Sequence, residues 1–267
     1  MKTIFLRTLQ DRKYSILIFC ISGVLLLWLY ILMFPTMQDM GENILSLMES
    51  YPPALKDMFP ISEASFTKIE NFLAMEQYSL MIPVLIIFMV AGIAAAAFSS
   101  EIEKGTIEIL LSRPVSRISI FFGKYLVGLS ALALFIVAST FMIIPLATMH
   151  NVDYSIENFL SISLLCFIFG WAVFSIAMLL SVIFSERSKV FMIIGGMMVI
   201  MYVMQIVSSV SEKWENAQFF SFFYYYDYEN ALLNNSLDLT DVLVFAAVAV
   251  SCTAFGFYWF NRRDVST

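Results

Sequence analysis

The sequence predicts an all-α integral membrane protein with six transmembrane helices and both termini in the cytoplasm. Three observations carry that prediction. Hydrophobic residues make up 60% of the 267, only 13% are charged, and mean hydropathy is +0.84. That leaves too little polar surface to cover a globule in water, where about a quarter of residues are charged. Six uncharged runs are long enough to cross a hydrocarbon core of about 30 Å as helix. Finally, the basic residues are unevenly shared between the connecting segments. With the N-terminus inside, the inner segments hold 12 Lys and Arg and the outer ones only Lys56, Lys68 and Lys213, whereas 6 acidic residues fall inside and 15 outside. Positive charge stays on the cytoplasmic side, so the orientation follows.

The spans are read at about 14–38, 77–100, 122–149, 158–185, 190–211 and 242–261, with the uncharged core of the third starting at Tyr125. Backbone amides in lipid must be satisfied within each segment, which requires helix here. The alternating period of a membrane barrel is absent. The first run has a basic flank, yet its apolar core exceeds a signal peptide's and Phe34-Pro-Thr36 is no cleavage site. It is read as a retained span. Cys20, Cys166 and Cys252 all fall inside predicted helices and act as small apolar packing residues rather than a disulfide framework. Residues 1–267 are read as one transmembrane domain, with no linker or internal repeat.

Before the first span, residues 2–13 set Ile4, Phe5, Leu6 and Leu9 beside Lys2, Arg7, Arg12 and Lys13. This segment either lies as a helix in the inner interface before turning into the bilayer or frays as a terminus. The first outer loop, 37–76, is the longest polar piece. Tyr51-Pro-Pro53 and Pro60 interrupt it, and 62–76 has a helical pattern, with Phe66, Ile69 and Leu73 on one side to cap the bundle. The second span carries Ala91-Gly-Ile-Ala-Ala-Ala-Ala97, whose small residues permit close approach of a neighbouring helix or a second subunit. Before the sixth span, 214–235 contains Phe219-Phe-Ser-Phe-Phe-Tyr-Tyr-Tyr226, too short to cross and too apolar for free solution. It reads as half-inserted outer helices or as an aromatic belt at the mouth of the last span.

Most chemistry is excluded. There is no phosphate-cradling Gly-rich loop followed by Lys-Ser or Lys-Thr, since Gly123-Lys124 runs into Tyr125. A single His, His150, argues against histidine triads and histidine-rich metal sites. His150, Asp153 and Glu157 could hold a cation weakly or form a solvated outer loop. No Ser sits in a nucleophile elbow. The span centres lack ionisable residues, which disfavours an ion-coupled carrier. The chain is read as a non-enzyme without catalytic, metal or cofactor residues.

One polar stretch remains, Glu101-Ile-Glu-Lys-Gly-Thr-Ile-Glu-Ile-Leu-Leu-Ser-Arg-Pro-Val-Ser-Arg117, between the second and third spans. Thr106 can cap a short helix with Glu108 in its first turn. Ile107, Leu110 and Leu111 form its apolar face, Glu108 and Arg113 flank it, and Pro114 stops it. Ser116 can start the next helix, which runs through Arg117 into the third span. Such a segment suits docking into a groove on a soluble partner, or merely joins two spans with its leucines on lipid.

This stretch resembles the signature between spans two and three of the type-2 exporter permeases of ATP-binding-cassette (ABC) transporters. In that family an acidic residue, Gly-Thr, Glu, a leucine pair, Pro-x-Ser-Arg and then Gly-Lys recur. Here they are Glu103, Gly105-Thr106, Glu108, Leu110-Leu111, Pro114-Val-Ser-Arg117 and Gly123-Lys124. The layout of six spans, an N-terminal amphipathic helix and half-inserted helices before the last span matches as well, though local identity is confined to 101–124.

The resemblance implies a cytoplasmic coupling helix that docks on a separate ABC ATPase subunit through Glu101, Glu103, Gly105, Thr106, Glu108, Leu110, Leu111, Arg113, Pro114 and Arg117. Glu186, Arg187 and Lys189 in the other short inner loop would make a secondary contact. It also implies a second permease subunit, identical or not, with ATP and Mg held by the partner and none in this chain. The implied place is the cell membrane, in a bacterium. The outer loop at 37–76 is too small for the large extracytoplasmic domains some relatives carry. Aromatic, Met-rich, uncharged walls and acidic outer segments point to a hydrophobic or amphipathic substrate such as a peptide, antibiotic or lipid, unless the acidic loops only set orientation. A non-transporting scaffold or immunity protein, or an ion-handling channel or carrier, are the alternatives.

Overall fold

The computed structural model describes residues 1–49, 68–107, 115–210 and 212–263. Six helical stretches in it are long and apolar enough to cross a membrane: Lys2–Gln38, Ile69–Ala97, Arg117–His150, Ile156–Ile183, Arg187–Ser208 and Leu239–Arg262. Each predicted run falls on one of them.

The first helix, α1, runs unbroken over Lys2–Glu49. The basic segment at 2–13 is therefore neither a separate interfacial helix nor a frayed end; it continues straight into the first span. No Gly or Pro occurs before Gly23, so nothing in the sequence interrupts the hydrogen-bond ladder. At about 1.5 Å per residue the helix exceeds any bilayer core, and its far end takes up 39–49 of the expected outer loop. Ile16, Cys20, Leu27, Ile31 and Phe34 bury one stripe, while Leu17, Ile18, Leu25, Leu29 and Leu32 stay exposed on the others. A stripe at this spacing packs one side on the bundle and leaves the rest for lipid. At Gly23 an added Cβ would lie 2.7 Å from Ser139 Cβ, so the glycine sets how closely spans one and three cross.

The second span is composite: α2 (Ile69–Leu73), a π-helix over Ala74–Met81, and α3 (Ile82–Ala97). The part of the expected capping helix that is described, from Ile69, is the beginning of this span; its residues before 68 lie outside the described segments. Pro83 supplies the reason for the wide turn. It has no N–H and its ring crowds the carbonyl four residues back, a conflict that a π turn relieves. The alanine run of α3 is buried within the chain, so the helix it admits is the fourth span of the same chain. A short α4 (Ser99–Glu103) extends the second span beyond a break at Phe98.

The third span is α5 (Arg117–Phe141) and α6 (Ile143–His150), interrupted where Pro145 cannot donate to Phe141. The fourth, α7 (Ile156–Ile183), is enclosed as fully as the second and packs against the second, third and sixth. Gly128 of the third span touches it so closely that an added Cβ would fall 2.0 Å from Phe174 Cζ. The fifth is α8 (Arg187–Val210) and the sixth α11 (Leu239–Arg262).

Between them lie a 3-10 helix (Glu212–Phe220), α9 (Phe222–Tyr225) and α10 (Tyr228–Leu233). The aromatic run divides its side chains. Phe222 and Tyr226 are buried, with Tyr226 5.0 Å from the Phe169 ring centroid, whereas Phe219 and Phe220 are exposed. Burial pushes the Tyr226 phenol well above its ordinary range, and its hydroxyl lies 3.2 Å from Cys166 Sγ. Uncharged polar groups do tie the spans internally. Trp171 Nε1 donates to the Tyr125 hydroxyl at 2.7 Å, and Ser175 and Thr253 lie 2.6 and 2.7 Å from the same oxygen, joining spans three, four and six.

Candidate functional site

The polar segment after the second span begins with a helix end of defined chemistry. Gly105 N–H donates to Ile102 C=O at 3.0 Å and Thr106 N–H to Glu101 C=O at 2.9 Å. These two bonds, with Gly105 at φ +67°, form a Schellman motif that satisfies carbonyls left over at the end of α4. Glycine is required there because a Cβ is strained in the left-handed region. The Gly-Thr pair is thus a helix stop. The Thr106 hydroxyl also reaches back to Glu101 C=O at 3.3 Å. The helix that Thr106 was expected to cap lies outside the described residues, as do Glu108, Leu110, Leu111, Arg113 and Pro114. Ile107, expected on a docking face, is fully buried in the chain's own core.

Both carboxylates of α4 are engaged inside the chain. Glu101 pairs with Lys124, whose side chain is only 3% exposed and whose ammonium lies 4.8 Å from the Phe98 ring centroid. Lys124 also donates to Ala97 C=O, closing the end of α3. Beside it, a Cβ on Gly123 would sit 3.2 Å from Ile4 Cγ2, so Gly123 admits the start of α1. The Gly-Lys pair therefore anchors spans one and two to span three. Glu103 Oε2 accepts from the backbone N–H of Arg187 at 3.1 Å, satisfying a free amide in the first turn of the fifth span.

Arginines close the remaining helix ends. Ser116 accepts from Ser119 N–H and caps α5 as the sequence suggested. Arg117 Nη1 donates to the carbonyls of Phe260, Asn261 and Arg263 at 2.9, 3.2 and 3.0 Å, at the end of the sixth span. Arg263 in turn donates to Val182 and Ile183 C=O and to Ser185 Oγ, at the end of the fourth. Ser99 and Ser181 exchange hydrogen bonds of 3.0–3.1 Å between spans two and four. One end of the bundle thus gathers the termini of all six spans. Among the residues assigned to the inside by charge, Arg117, Lys124, Arg187 and Arg263 lie there.

Two segments predicted separately for partner contact become neighbours through the Glu103–Arg187 bond. Glu103, Lys104 and Thr106 are exposed on one, and Glu186, Arg187, Ser188 and Lys189 on the other, where Lys189 and Glu186 pair at 2.6 Å. Arg117, expected on the docking face, instead spends its guanidinium on the sixth span. Sequence reasoning passed over Arg263, Ser99 and Ser181. For Arg263 a signal existed, an arginine just beyond the last apolar turn, where the helix end attracts cations. For the serines there was none.

Among the described residues no group of three or more His, Cys, Asp and Glu could hold a metal ion, and His150, Asp153 and Glu157 do not form one. A cavity of about 170 Å³ lies between spans two and five, walled by Ile87, Phe88, Ala91, Phe191, Met198 and their apolar neighbours. Among known families, the model described as ABC-2 family transporter protein matches residues 14–265. A comparison with curated proteins finds no match.

Proposed function

The chain belongs to the ABC-2 transporter family, as a family match over residues 14–265 shows, and from that premise we propose that it is the permease of an exporter driven by a separate ABC ATPase. Transporter permeases of this family work with an ATPase partner and are themselves the membrane component. In our reading both termini and the segments around 101–117 and 185–189 face the cytoplasm of a bacterial cell. ATP and Mg belong to the partner, and a second permease subunit, identical or not, completes the pathway. The cargo is a hydrophobic or amphipathic molecule, a peptide, antibiotic or lipid, because the cavity between spans two and five is lined by apolar side chains.

The observation that carries the reading is the Glu103–Arg187 bond, which joins both expected contact segments into one exposed surface. A push on that surface has short paths into the bundle. Glu101 passes it to span three through Lys124, and Glu103 passes it to span five. Arg117 and Arg263 extend the chain to spans six and four. The ATPase thereby moves five helix ends together rather than one loop.

Two substitutions in the coupling segment test this. Glu108→Arg with Leu111→Asp reverses one charge and adds another where the ATPase should dock, and it should abolish co-purification while insertion stays normal. Ala at Asp153 and Glu157 should leave co-purification intact. Wild-type recovery of the ATPase with the double variant sinks the coupling assignment. For the cargo, loss of the permease should raise sensitivity to cationic amphipathic peptides; unchanged tolerance, with altered handling of a hydrophilic ion, overturns the amphiphile reading.

A further inference from the structure

At the basic end of the bundle a second cleft of about 200 Å³ opens between spans one, two and five. Arg12, Ser15 and Arg187 form its polar rim, and Phe19, Phe88 and Phe191 its apolar wall. Arg12 and Arg187 both line this cleft, and Arg12 is half-buried. Among the described residues the ion pairs are Lys124–Glu101 and Lys189–Glu186, so neither arginine is in one. Asp11 and Glu101 attract Arg12, but Glu101 is already committed to Lys124. The Arg187 guanidinium lies over the Phe191 ring, 5.4 Å from its centroid, which holds it at the rim. Two guanidiniums that line one cleft, and that make no ion pair among the described residues, have their donors free to take an anion between them.

We propose that this cleft binds the phosphate headgroup of an anionic phospholipid, held by Arg12, Ser15 and Arg187, with an acyl chain along the aromatic wall. Guanidinium forks match phosphate oxygens bidentately, and the serine hydroxyl supplies one more donor. Arg12 stands where the apolar run of the first span begins, the depth at which lipid phosphates lie. A free phosphate would satisfy the charge and leave the aromatic wall unused. That contrast selects a lipid over a soluble anion.

Native mass spectrometry of the full-length chain, with phosphatidylglycerol or zwitterionic phosphatidylcholine added, measures the affinity of the first bound lipid. Phosphatidylglycerol should bind about tenfold more tightly, and Arg12→Gln with Arg187→Gln should bring the two lipids to parity. Gly92→Leu, which fills the cleft beside Phe191 without changing charge, should abolish the preference as well. Lys13→Gln with Lys104→Gln removes two basic-end charges outside the cleft and should leave it. The proposal is overturned if the preference survives either cleft variant, or if the lysine variant loses it equally. Displacement of the lipid by millimolar inorganic phosphate also overturns it, by making the occupant a free anion.

Discussion

Substituting Glu101 with Gln removes the carboxylate that pairs with Lys124 among the described residues. The lysine is 3% exposed and the glutamate 32%, so the two partners are not equivalent. Without Glu101 the ammonium keeps the Ala97 carbonyl and the Phe98 ring, but no negative charge. Leaving a buried charge unpaired costs about 3–5 kcal/mol. The water that reaches Glu101 also reaches part of the pair, so about 3 kcal/mol is expected for Glu101→Gln. Lys124→Met removes the buried charge itself and leaves a carboxylate that can turn to water, at about 1 kcal/mol. The double variant should resemble Lys124→Met, giving a coupling energy of about 2–3 kcal/mol. Unfolding of the full-length chain in mixed micelles, followed by tryptophan fluorescence, measures all three. A Glu101→Gln cost no larger than that of Lys124→Met, or costs that simply add in the double variant, would refute the pair as a structural anchor.

Gly105→Ala should destabilise the same transition by about 1–2 kcal/mol, because φ +67° is strained for any Cβ and nothing crowds the site; Gly105→Asn should recover much of the loss. A clash-free Gly105→Ala that costs nothing would remove the Schellman assignment. Gly128→Ala drives a methyl into the buried Phe174 ring and should cost about 1–3 kcal/mol, with Phe174→Leu on the same chain restoring stability. Single cysteines at positions 56 and 213 should react with a membrane-impermeant maleimide only from outside, and one at 104 only after the membrane is opened. Labelling of position 56 from the inside alone would invert the topology.

The spans were legible because each needs about 20 uncharged residues, a demand of the solvent that composition alone exposes. The basic flank at 2–13 was misread for a related reason. Leaving lipid changes what side chains a helix prefers, but does not end the helix, and nothing before Gly23 breaks it. In the polar segment the Gly-Thr pair was visible as a motif, yet its role as a helix stop depends on Glu101 and Ile102 carbonyls that only the folded turn presents. Arg117 and Arg263 were readable as positive charges on one side of the membrane. That each closes the end of a helix far away in sequence was not, because the partners are backbone carbonyls, which carry no sequence signal. Glu108, Leu110, Leu111, Arg113 and Pro114 lie outside the described residues, so their part in coupling rests on the proposed docking experiment.

The π-helix over Ala74–Met81 lets the second span absorb a change in length that a regular α-helix does not. A π turn stores roughly one residue beyond what an α-helix of the same rise would hold. Deleting a single residue there would let the helix relax to ordinary geometry, and because the π turn holds that residue within an unchanged rotation, the Ile69 side would keep its facing; the same deletion in a regular α-helix would swing it by about 100°. Ile69 and Leu73, both fully buried, would then still face the core. Family members that lack the extra residue therefore keep the same buried face at that end of the span when the gap is set inside 74–81, and an alignment that sets it elsewhere pairs buried positions with exposed ones.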